Sequence, residues 1–135
     1  MAKRHRIVKD EVLTEVVKLI VKKLGFNYID VDRVAVVRNL DSNSNAYARI
    51  YAMPRPIAVA FDLKPLYAIE VIHRRFEKLD CESKLRVLIH ELLHIPKSFS
   101  GSLVPHHPKT FSPSNIERMV KKLDREKLCS MLEYK

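Results

Sequence analysis

Residues 87–96 read VLIHELLHIP and place two histidines and a glutamate inside an apolar run. Burying ionisable groups among apolar neighbours is unfavourable unless a partner satisfies them. Residues four apart on an α-helix lie on one face, one turn apart. A helix here would direct His90 and His94 to a common point, and Glu91, rotated by about 100° from His90, would lie beside that point. The pattern H-E-x-x-H is typical of a metal site with a catalytic carboxylate.

Two neighbouring features favour a metal site over two ordinary surface histidines. The residues around the histidines are apolar, which indicates a buried helix: Val87, Leu88, Ile89, Leu92 and Leu93. Pro96 disfavours helical geometry in the residue before it and so ends the helix just after His94. The chain is then free to return with a third ligand. Because imidazole nitrogens are common zinc ligands, we expect one Zn²⁺ ion at His90 and His94.

The third ligand does not follow the metzincin spacing H-E-x-x-H-x-x-G-x-x-H. Lys97 and Ser100 stand where that pattern needs glycine and histidine. A catalytic zinc ion usually takes three protein ligands and keeps one position for water, so another residue is required.

A longer loop offers that residue. Residues 97–110 contain Gly101 and Pro105, which are suited to turning the chain back. We expect His106 to be the third ligand and His107 to be the alternative. Glu117 is a weaker candidate, because a carboxylate in an amphipathic helix is more often solvated.

The rest of the chain predicts one α+β domain. Apolar residues recur with helical spacing over residues 10–24, where Asp10 can cap the start and Gly25 the end. Ser112-Pro113 is typical of the start of a last helix. Short segments rich in β-branched residues predict about four strands of a small mixed sheet: residues 31–37, 48–53, 57–61 and 66–72.

Composition narrows the class of protein further. The chain of 135 residues fits a single domain, and a hydrophobic content of 47% argues against wholesale disorder. No apolar run is long enough to cross a bilayer, and the N-terminus lacks the apolar region of a signal peptide. We therefore expect a cytoplasmic protein without membrane contact, whose residues 1–8 form a flexible basic tail.

The two cysteines and the net charge say less about function than the histidine motif does. Cys81 and Cys129 are far apart and belong to no CxxC pair, so we expect free thiols.

The formal net charge is +9, from 25 Lys and Arg against 16 Asp and Glu. No aromatic residues are interleaved with the basic ones as a base-stacking platform requires, so a nucleic-acid partner is not favoured. The sequence does not predict the oligomeric state.

Residues 90–106, HELLHIPKSFSGSLVPH, resemble the predicted archaeal and phage zinc metallopeptidase family with its HELLHIP motif. The resemblance extends through residues 52–56 and 66–72 and covers most of residues 10–120. It implies a minimal zincin-like fold, one Zn²⁺ ion held by His90, His94 and His106, and Glu91 as the catalytic residue. Family members commonly carry a small residue after the third histidine, where this chain has His107.

The same resemblance implies an edge strand beside the active-site helix, and residues 66–72 are the natural candidate. An edge strand can bind an extended peptide by strand addition. We therefore expect substrate contacts at Leu66, Tyr67, Ala68 and Ile69.

In the implied reaction Glu91 is the general base for hydrolysis of a peptide bond. An oxyanion donor is also usual. His107, Tyr67 and Arg55 remain open for that role.

Two other functions fit the same motif. The first is a DNA-associated protease similar to SprT-like enzymes, which also carry H-E-x-x-H and a more distant histidine. The second is a nuclease-like or non-catalytic zinc protein. Bacterial RNA-maturation endonucleases have glycine where this chain has Glu91, so the carboxylate favours hydrolysis of peptides.

Overall fold

A four-stranded mixed sheet with helices packed against it organises the chain. The structure is a computed structural model that describes residues 4–133. The elements are, in chain order: β1 Ile7–Lys9, α1 Glu11–Leu24, a short 3-10 helix Val31–Arg33, β2 Val34–Asn39, β3 Ala48–Ala52, α2 Arg55–Ala60, β4 Tyr67–Ile72, α3 His73–Phe76, α4 Cys81–Leu92, α5 Pro113–Lys122 and α6 Arg125–Glu133. The predicted α+β class with a small mixed sheet is confirmed.

The core lies between one face of the sheet and the helices. The strand order is β1-β2-β4-β3, in which β2 and β4 are parallel and the other pairs are antiparallel. Val36, Ile69 and Ile50 align across β2, β4 and β3 and point into the core shared with α1 and α4. This packing holds α4 against β3 at the border of the sheet.

The prediction that residues 66–72 form an edge strand is wrong. β4 lies between β2 and β3, and its backbone pairs with both neighbours. Five of its six residues are buried, as expected for a strand inside a sheet rather than at its edge. Tyr67, Ala68 and Ile69 therefore offer no free strand edge to a peptide. Leu66 precedes β4, and its carbonyl accepts a hydrogen bond from the Met53 backbone N–H at 2.9 Å. Within residues 4–133 the edge beside α4 is β3.

Two further boundaries differ from the sequence-based expectation. Ile7 and Val8 belong to β1 and pair with Asn39 and Arg38, so the predicted tail of residues 1–8 is too long; residues 1–3 lie outside the described part. Residues 57–61, predicted as a strand, lie largely within α2. Pro56 in the first turn has a backbone torsion that suits a helix, which explains the difference.

The active-site helix of the sequence prediction is α4. Asp80 caps it by accepting a hydrogen bond from the Ser83 backbone N–H at 2.8 Å. Leu85, Leu88 and Leu92 are fully buried and fix the helix against the core. Regular helix ends at Leu92, and turns continue through Ile95.

The expectation of free thiols is wrong. Cys81 at the start of α4 and Cys129 in α6 form a disulfide, with their Cα atoms 5.6 Å apart. The sequence separation of 48 residues gave no sign of this proximity. It arises because α6, an additional helix after α5, packs against α1 and α4.

Candidate metal centre

Three histidines converge at the C-terminal end of α4. His90, His94 and His106 each offer one ring nitrogen, and these atoms lie within 4.8 Å of one another. The Nε2 atoms of His90 and His106 are 2.9 Å apart. His90 and His94 are half-buried and His106 is exposed. The group has the donor type and spacing that could hold a metal ion.

A paired contact between the α4 terminus and the following loop brings the third histidine back. The His94 Nδ1–H donates to the Val104 carbonyl at 2.6 Å, and the Val104 backbone N–H donates to the His94 carbonyl at 2.8 Å. With Nδ1 protonated, the Nε2 atom of His94 is left as a lone-pair donor. His106 follows Val104 by two residues and so reaches the other two imidazoles.

The alternative third ligands lie elsewhere. His107 is exposed, and its Nδ1 accepts a hydrogen bond from the Lys109 backbone N–H at 3.3 Å. The Glu117 carboxylate accepts a hydrogen bond from the Arg86 Nε–H at 2.7 Å. The structure thus brings His106, and neither His107 nor Glu117, to His90 and His94.

Tyr67 anchors the loop that carries Val104 and His106. Its hydroxyl donates to the Ser102 carbonyl at 2.9 Å and accepts from the Gly101 backbone N–H at 2.8 Å. Gly101 has φ of +93°, a conformation that favours glycine. Tyr67 is 3% exposed, and burial raises the pKa of its phenol. Its hydroxyl therefore supports the loop and is not available as an oxyanion donor.

The other two oxyanion candidates do not line the cleft beside Glu91 either. Arg55 lines a separate cavity together with Gly101 and Ser102. The His107 Nδ1 accepts a hydrogen bond from the Lys109 backbone N–H in the same turn.

Glu91 is buried next to His90 and lines the same cleft. Burial raises the pKa of its carboxyl to about 7. Burial, together with His106 and His94, lowers the pKa of His90 to about 4. His90 is therefore neutral near pH 7, the state in which an imidazole binds a metal.

The cleft has a volume of about 520 Å³ and runs from the start of β3 to α5. Tyr47 and Ala48 line it on the sheet side, and Val87, Phe111 and Ile116 supply apolar walls. The H-E-x-x-H helix, a His₃ group and an adjoining cleft are the features expected of a metal-dependent hydrolase.

The comparison with protein families agrees with this geometry. The model of the family described as "Putative phage metallopeptidase" matches residues 5–133. The chain belongs to this metallopeptidase family. No curated protein and no solved structure matches the chain.

Membership of the metallopeptidase family fits the fold and the donor set together. The four-stranded mixed sheet and the helix with two histidines are consistent with a minimal metallopeptidase fold. Three imidazole ligands suit zinc and other late first-row divalent ions. Among residues 4–133, no helix has the length and apolar character needed to cross a bilayer.

Sequence reasoning missed two residues of this metallopeptidase site. Val104 orients His94 through its backbone carbonyl, which no side-chain pattern can reveal. Phe111 packs its ring against all three imidazoles. A single aromatic residue in a polar loop carries no periodicity, and only the tertiary contact identifies it.

Proposed function

We propose that the protein is a zinc-dependent peptidase that hydrolyses peptide bonds with Glu91 as general base. One observation carries the proposal: three imidazole nitrogens lie within 4.8 Å of one another beside a cleft that Glu91 also lines. Membership of the metallopeptidase family supports the same class of reaction.

The roles of the residues follow from their positions. His90, His94 and His106 would hold the cation. When bound, the cation supplies Lewis-acid chemistry, which makes a water molecule acidic near neutral pH and polarises a carbonyl group. Glu91 accepts the proton of the attacking water and delivers it to the leaving nitrogen of the cleaved peptide bond. Because Glu91 is 8% exposed, bulk water competes little with this transfer.

The substrate binds along β3 in this proposal. β3 pairs with β4 on one side, and within the described residues no strand pairs with its other side. The cleft begins at Tyr47 and Ala48, where β3 starts. An extended peptide can therefore add to this edge through main-chain hydrogen bonds. The apolar walls of Val87, Phe111 and Ile116 favour an apolar side chain near the cleaved bond.

Three variants test the catalytic assignment. Glu91→Gln should keep zinc and lose hydrolysis of an unfolded protein, whereas His94→Ala should lose both. Glu82→Gln is a matched control, because it makes the same change on α4 where the carboxylate pairs with Arg86 and Arg125. It should retain zinc and activity. Turnover retained by zinc-loaded Glu91→Gln, or no turnover by the zinc-loaded wild type, would refute the proposal.

A DNA-associated peptidase is the second candidate. The formal net charge of +9 favours it, as does a basic group around the start of β3. Arg74 donates to the Asn43 carbonyl, and the Arg75 guanidinium lies 4.6 Å from the centre of the Tyr47 ring. Binding to a labelled DNA duplex that weakens steeply with salt would support this candidate, and absence of binding at low salt would exclude it.

A further inference from the structure

Phe111 forms a tight cluster with the three histidines. Its ring centre lies 5.0 Å from that of His90, 4.7 Å from His94 and 4.9 Å from His106. The imidazole centres are 4.6–5.4 Å from one another. The four rings therefore stand at the corners of a nearly regular tetrahedron. Phe111 has no lone-pair donor atom that could ligate a metal ion, so its contribution is to the arrangement of the three imidazoles.

The position of Phe111 is fixed by the turn that follows the third histidine. Its backbone N–H donates to the His107 carbonyl at 2.9 Å. The next residue, Ser112, caps α5 by accepting from the Asn115 backbone N–H at 3.2 Å. The Asn115 side chain also donates to the Thr110 carbonyl at 2.8 Å. Contacts on both sides thus hold the ring over the imidazoles.

Two of the three histidines lack the usual means of orientation. Metal-binding histidines almost always donate their second ring N–H to a carbonyl or carboxylate, which fixes the ring. His94 does this through Val104. For His90 and His106, within residues 4–133, the only hydrogen-bond contact of the ring is with each other. Packing is then the remaining constraint on their rotation.

We infer that Phe111 is a positioning residue that orients His90 and His106 for the cation. The inference rests on the proposed metal site and adds a role to a residue outside the ligand set. An aromatic ring has only two side-chain torsions and presents both a face and an edge, so it can contact several imidazoles without losing much conformational freedom. Removing it should leave the ligands present but less well directed.

The test measures metal binding in the absence of any substrate. Zn²⁺ affinity is determined by competition with a chromophoric chelator, and the visible spectrum of the Co²⁺-loaded protein reports coordination geometry. Phe111→Ala should weaken Zn²⁺ binding by about 10- to 100-fold, the usual effect of removing an orienting partner. Its Co²⁺ spectrum should also change. Phe111→Leu, which keeps an apolar side chain, should fold and show a smaller loss in the same direction.

Phe26→Ala is the matched control. Phe26 is also half-buried and packs against another aromatic ring, Tyr28, with ring centres 6.0 Å apart. This variant should lose stability and keep the wild-type affinity and Co²⁺ spectrum. Wild-type affinity in both Phe111 variants, or an equal loss in Phe26→Ala, would overturn the positioning role. A wild type that binds no zinc would instead refute the proposed function itself.

Discussion

The burial of Glu91 makes a specific prediction about the pH dependence of stability. The carboxyl is 8% exposed and burial raises its pKa from 4.5 to about 7. Below pH 4.5 it is protonated in both the folded and the unfolded chain. Above pH 4.5 the unfolded chain ionises while the folded chain keeps its proton, so stability is lost progressively until the pH passes the folded pKa of about 7. Each unit of difference between the folded and unfolded pKa corresponds to about 1.4 kcal/mol. The total loss of unfolding free energy is therefore about 3 kcal/mol.

Glu91→Gln isolates this effect, because the amide does not titrate. In metal-free protein, the free energy of unfolding of the variant minus that of the wild type should rise by about 3 kcal/mol between pH 4 and pH 8. Urea unfolding in the presence of a chelator measures both proteins. Since the two share their other titrating groups, contributions from the histidines largely cancel in the difference.

Glu82→Gln again serves as control, because Glu82 is half-exposed and its carboxylate interacts with two arginines. The free energy of unfolding of Glu82→Gln minus that of the wild type should not rise by this amount between pH 4 and pH 8. A difference for Glu91→Gln that stays constant from pH 4 to pH 8 would refute the argument from burial.

Two other predictions concern the elements that support the site. Cys129→Ser removes the disulfide to Cys81, which closes a loop of 48 residues, and should lower the free energy of unfolding by about 4 kcal/mol under oxidising conditions; equal urea midpoints for the variant and the oxidised wild type would contradict this. Tyr67→Phe leaves the Gly101 N–H and the Ser102 carbonyl without their partner and should cost roughly 1 to 3 kcal/mol. An unchanged urea midpoint would show that water replaces the hydroxyl at no cost.

Local rules account for the parts of the fold that the sequence predicts well. Asp10 accepts from the Leu13 backbone N–H at 2.9 Å, and Gly25 has φ of +71°, so both ends of α1 follow from capping chemistry. Ser112 caps α5 in the same way. The placement of His90 and His94 together follows from helical geometry alone.

Tertiary packing decides the parts that the sequence predicts poorly. The order of β3 and β4 depends on how the strands pair, and an apolar segment fits an edge or an interior position equally well from its pattern. The contact between Cys81 and Cys129 depends on the docking of α6. Phe111 reaches the histidines only because its turn is fixed between His107 and α5.

Zinc titration of matched histidine variants tests the central claim most directly. Wild type and His107→Ala should each bind one Zn²⁺ ion with the same affinity, because His107 lies outside the group of three ring nitrogens. His106→Ala removes one of those nitrogens and should lose high-affinity binding. Full affinity in His106→Ala, or the loss of binding in His107→Ala, would contradict the assignment of the metal centre to His90, His94 and His106.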